Sequence, residues 1–178
     1  MHDIREHPDA PDLDRITEFT VEPVPLERVR ERRENGEVLV RDNLLDRDDL
    51  DVRIPLSDEP AEDETENVGV ALYRLVQLFG TPNLPEYLAG SDISWREDDT
   101  FGYLFRAVTD QDEGSEELPD SWLFTVHDYH VRLGASVVEW RDEAGDLTAD
   151  TETALTSLHL AHNLANEPVQ CEFKDLWF

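Results

Sequence analysis

Residues 121–133, SWLFTVHDYHVRL, are the longest uninterrupted run in the chain with the character of a β-strand. Trp, Phe, Thr, Val and Tyr fit a pleated, half-buried surface. Alternation sends Trp122, Phe124, Val126, Asp128 and His130 to one face. Leu123, Thr125, His127, Tyr129, Val131 and Leu133 go to the other. Both faces begin apolar and become polar toward 127–130. The strand is therefore expected to enter a core at one end and leave it at the other.

The remaining pattern fills in around that strand. Residues 67–79 predict a helix, since Val68, Leu72, Leu75, Val76 and Phe79 form one apolar stripe and Gly80-Thr81-Pro82 stops it. A second amphipathic helix is expected over 151–166, with Ala154, Leu155, Leu158, Ala161, His162 and Ala165 inward and His159 at the edge. Residues 25–35 predict a short helix stopped by Gly36, where Arg28, Arg30, Arg32 and Arg33 interleave with Glu27, Glu31 and Glu34. That pattern reads as a solvated helix laced with ion pairs in preference to an anion-binding patch. Short strands are expected at 17–21, 37–41, 50–55, 93–96, 101–108, 136–141 and 169–174, with Gly134 allowing the return into 136–141. The fold class is α+β: an antiparallel sheet, a meander over about 92–141 plus a C-terminal strand, packed by two amphipathic helices. Residues 1–23, broken by prolines, read as a loosely ordered arm, and 24–178 as a single α+β domain.

Charge sets the environment. Asp plus Glu number 43 against 15 Lys plus Arg, a net charge of -28, and Lys174 is the sole lysine. Such self-repulsion destabilises a compact state at ordinary ionic strength. Molar salt, with a Debye length of about 3 Å, screens it. Acidic residues spread along the whole chain with almost no lysine resemble cytoplasmic proteins of extreme halophiles, the salt-accumulating archaea in particular. The single Cys171 suggests a reducing compartment. The first residues contain no apolar signal segment, and no run approaches the roughly 18 apolar residues of a membrane helix. A cytoplasmic protein with no membrane partner is expected. Nucleic acid is excluded as a partner by charge. A protein partner is left open, as is the oligomeric state.

One set of short motifs carries a family resemblance. It comprises a helix ending Leu78-Phe79-Gly80-Thr81-Pro82, then Trp95, then FTVHDY over 124–129, then Trp140. It resembles small uncharacterised proteins, several of them viral, that carry a helix ending in FG-x-P and a later strand like IYDYK. Here His127 and His130 stand where that strand has Tyr and Lys. The resemblance spans about residues 68–140 and implies an α+β domain with no known activity.

No motif names a reaction. Four histidines form two H-x-x-H pairs, His127/His130 and His159/His162. On a helix, positions i and i+3 share a face, so His159 and His162 suit one metal ion. On a strand, residues three apart point oppositely, so only one of His127 and His130 could join them. His127, His159 and His162 are thus the candidate metal ligands, with zinc the fitting ion and Asp128 or Cys171 a fourth ligand. The competing reading makes His162 a core histidine and His159 its partly exposed neighbour. No H-E-x-x-H, G-x-S-x-G or glycine-rich phosphate loop is present, and no catalytic residue is assigned. The leading expectation is a non-enzymatic binding or regulatory module. The alternative is a metal-dependent hydrolase or metal sensor built on the H-x-x-H pairs.

Overall fold

The computed structural model describes residues 2–9, 19–54, 71, 74–80, 82–85, 101–109, 118–129 and 132–166. In chain order their strands are β1 (His2–Asp3), β2 (Phe19–Pro23), β3 (Val38–Asn43), β4 (Val52–Arg53), β5 (Leu84–Pro85), β6 (Phe101–Thr109), β7 (Ser121–Tyr129) and β8 (Arg132–Arg141). The helices are α1 (Leu26–Glu34), α2 (residues 71 and 74–79) and α3 (Thr151–Asn166). The fold is α+β. β6, β7 and β8 form an antiparallel meander inside a sheet ordered β2-β6-β7-β8-β3, with β5 pairing to the start of β6.

The strand expected over 121–133 is two strands. Tyr129 pairs with Arg132 and Asp128 with Leu133, so the chain reverses between residues 129 and 132. Gly134 lies inside β8 opposite His127 rather than at a turn. No Gly or Pro marks the reversal, and β-favouring residues continue through it, so composition joins what the register divides. The expected strands at 93–96 and 169–174 lie outside the described residues. The strand expected at 37–41 is β3, on the open side of β8, while that at 50–55 contributes only β4, paired in parallel with β1.

Both faces of the sheet are covered. The first carries Tyr103, Phe105, Phe124, Val126, Ala135 and Val137, with Phe105 stacked between Tyr103 and Phe124. Against them pack Ala71, Leu75 and Val76 of α2 and Ala154, Leu155, Leu158 and Ala161 of α3. Each large side chain so buried contributes roughly 1.5–3 kcal/mol. The second face carries Leu39, Leu104 and Val138 under Val29 of α1, with Leu84 at the side. The helix expected to be merely solvated thus seats one apolar residue and roofs the second face.

Residues 2–9, placed by sequence in a loose arm, are anchored. Ile4 is fully buried in the main core, β1 pairs with β4, and His7 Nε2 lies 2.9 Å from the Leu50 carbonyl. One isoleucine in a single 3-10 turn is too short a signal for any periodicity window. Residues 10–18 lie outside the described part of the chain.

Three local devices fix the framework. Gly36, at φ 82°, donates its N–H to the Arg33 carbonyl at 2.9 Å while Glu37 donates to Arg32 at 3.0 Å. This paired closure needs a left-handed residue after the helix. Gly36→Ala is expected to cost about 1–2 kcal/mol, read as a lower denaturant midpoint with unchanged slope. At α3, Asp150 accepts from the N–H and hydroxyl of Thr153, both at 2.8 Å, and caps the helix. At the other end of α3, Arg74 Nη1 donates to the Ala165 carbonyl at 3.2 Å.

Candidate functional site

β7 and β8 part company at one end. Their ladder ends at Leu123↔Val138. β7 nevertheless stays paired to β6 as far as Ser121↔Val108, and β8 to β3 as far as Val38↔Arg141. Two residues of β7 and three of β8 therefore run past the last rung, and the sheet forks. A groove of about 990 Å³ occupies this fork. Residues of both sheet faces line it: Trp122 and Val137 from the first, Leu123, Val138 and Trp140 from the second.

Three walls enclose the fork. On the second face, α1 presents Arg28, Glu31 and Arg32, its position set by Val29 in the small core beneath. Arg106 of β6 stands opposite Leu123 in the ladder and is exposed beside them. The third wall is the segment 147–150 leading into α3. Asp42 and Arg47 hold that segment. Asp42 Oδ2 accepts from Arg47 Nη1 and from the Ala149 N–H, both at 3.0 Å, and the same Nη1 donates to the Ala149 carbonyl at 2.8 Å. Arg47 reaches Asp49 as well, at 3.0 and 2.7 Å, and these contacts push its guanidinium pKa upward, with the Asp49 hydrogen bond the largest cause. Trp122 is fixed from below, its indole N–H donating to Ser157 Oγ at 2.8 Å. Trp140 is half-buried and faces the groove from β8.

The charges around the groove are mostly spoken for. Arg32 pairs with Glu37 at 2.8 Å and Arg141 with Glu139 at 3.2 Å, while Asp150 caps α3. The guanidiniums of Arg28 and Arg106 make no hydrogen bond or ion pair with a described residue, although Glu22 stands across the ladder from Arg106.

The three histidines proposed as metal ligands are not brought together. His127 sits on the second face, with Nδ1 3.1 Å from Thr125 Oγ1. His159 and His162 belong to α3, which packs on the first face, as the Trp122–Ser157 bond shows. The sheet separates them, because alternation along β7 turns His127 away from Phe124 and Val126. Among the described residues no group of three His, Cys, Asp or Glu side chains is placed to hold a metal ion. His130 and Cys171 lie outside the described residues, as does the side chain of Asp128.

The competing reading of the helical pair is corrected too. His159 is the buried member, 1% exposed, and His162 the half-exposed one. The 3-10 turn Ile4–Glu6 packs against α3, and Asp3 and His7 are near enough to act on His159 electrostatically. Burial first, then His162, lowers its pKa to about 4, and neither ring nitrogen makes a hydrogen bond. His127 is held lower, at about 3, by burial first and then by the Arg41 charge. Beside it, Ser136 Oγ and both amide atoms of Asn43 are buried without hydrogen bonds. None of these groups lines the groove.

Set against protein-family models, curated proteins and solved structures, the chain matches none. No helix among the described residues is long and apolar enough to cross a membrane.

Proposed function

We propose that the protein is a non-enzymatic binding module of a salt-accumulating halophile's cytoplasm, with the forked groove as its working surface. The fork is the observation that carries this reading: a sheet that opens between two otherwise paired strands, with two tryptophans inside. Concave sites with aromatic walls and a few convergent polar groups are where ligands bind. The metal-dependent alternative, with His127 on the other face of the sheet from His159 and His162, would rest on His130 as its third nitrogen. Ligand-observed NMR against a set of aromatic fragments, run in molar KCl, tests the groove directly. Fragments are expected to bind the protein and to lose that binding in Trp140→Ala. Binding indifferent to Trp140, or none, contradicts the reading.

The halophilic setting has its own test. With a net charge of -28, transfer from molar KCl to about 0.1 M, where the Debye length is about 10 Å, is expected to lower the melting temperature steeply. An unchanged melting temperature would remove the argument from charge.

A further inference from the structure

Resting on the groove as a binding site, we propose that its ligand is a small monoanion with a flat apolar body, an aromatic carboxylate, clasped between Arg28 and Arg106. In a chain with 43 acidic and 15 basic Lys and Arg residues, a guanidinium without an acidic partner is the unexpected state. Two such guanidiniums line one groove, Arg28 from α1 and Arg106 from β6. They flank the apolar floor where Leu123 and Val138 form the last rung before the fork. The walls therefore offer planar hydrogen-bond forks for a carboxylate and an aromatic surface, Trp140, for a ring.

The surrounding charges select the ligand's own charge. Arg32 and Glu37 neutralise each other, Glu139 is taken by Arg141, and Asp150 is committed to its helix cap. Glu31 remains on the same wall as Arg28. Asp150 keeps its charge in the cap and Glu22 stands across the ladder from Arg106, so the carboxylates around the two guanidiniums favour a monoanion held by close contacts over a dianion. Molar salt favours the same class, since it screens long-range attraction and leaves close bidentate contacts and apolar burial to carry the affinity.

Isothermal titration calorimetry of the whole chain in molar KCl tests this with three probes of one ring system: 2-naphthoate, 2-naphthamide and 2-naphthyl phosphate. Naphthoate is expected to bind with a stoichiometry of one. The neutral amide and the phosphate are each expected to bind at least about tenfold more weakly, a difference of about 1.4 kcal/mol. Arg28→Gln and Arg106→Gln, both exposed, are expected to erase the preference for naphthoate over naphthamide while circular dichroism stays unchanged. Equal affinity for acid and amide, both lost in Trp140→Ala, would overturn the anion proposal and leave the groove standing. Tighter binding of the phosphate would overturn the monoanion assignment. Absence of binding by all three would count against the groove itself as well.

Discussion

Between pH 6.5 and about 4, the native protein is expected to lose stability relative to a His127→Gln variant, by about 1.4 kcal/mol per pH unit and about 3 kcal/mol in all. His127 titrates near 6.5 when unfolded and near 3 when folded, because burial and the Arg41 charge both oppose its imidazolium. The unfolded chain therefore takes up the proton first, and stability falls as pH falls through that window. His159, lowered to about 4 by burial and His162, acts in the same direction but is present in both proteins and cancels in the comparison. Glutamine keeps a polar group beside Thr125 without titrating. Denaturant titrations of both proteins in molar KCl read the effect, since salt screens the carboxylate repulsion that also changes with pH. Parallel stability curves would show that His127 is not a buried neutral ring.

Replacing Asn83 with Ala is expected to cost about 2–4 kcal/mol, although the residue takes no part in the groove. Its amide completes the sheet where two strands fail to meet. β2 covers β6 from Phe105 to Thr109 and β5 covers Phe101 and Gly102, which leaves Tyr103 and Leu104 between them. Asn83 Oδ1 accepts the Leu104 N–H at 2.7 Å, and Nδ2 donates to the carbonyls of Leu104 at 2.8 Å and Val24 at 2.6 Å. Alanine abolishes all three bonds and leaves the Leu104 N–H buried with no acceptor, because the Val24 N–H bond at 2.9 Å satisfies only the carbonyl of Leu104. Equilibrium unfolding measures the loss. A shift below about 1 kcal/mol would mean that the edge closes by another route.

What the sequence made legible follows from how each element is encoded. α3 could be read from its stripe of Ala154, Leu155, Leu158, Ala161 and Ala165, although every residue from 153 to 161 is buried. The described part of α2 could be read from Leu75 and Val76, and Phe101–Thr109 from Tyr103, Phe105 and Ala107 on one face. The reversal between 129 and 132 could not be read, since residues suited to a strand occupy it. Ile4 was invisible for the opposite reason, a single buried side chain in a polar segment. The histidines show the limit most plainly. Spacing identified His159 and His162 as neighbours but said nothing about which side of the sheet His127 would take relative to them. The groove was legible only in fragments. The arginines of α1 stood out as a cluster and the tryptophans as strand residues, while Arg106, Asp42 and Arg47 gave no local signal. What joins them is the premature end of one ladder, a tertiary event that strand propensity does not record.

The fork between β7 and β8 is proposed as the working surface. The most direct measurement is a nitrogen-15 correlation spectrum of the tryptophan indoles in molar KCl, each assigned by Trp→Phe replacement, as aromatic carboxylates, amides and alcohols are added. The Trp140 indole signal is expected to move with added ligand, and that of Trp122, anchored to Ser157, to move less. If both signals stay in place while other signals titrate, ligands bind elsewhere and the fork is only a structural opening in the sheet.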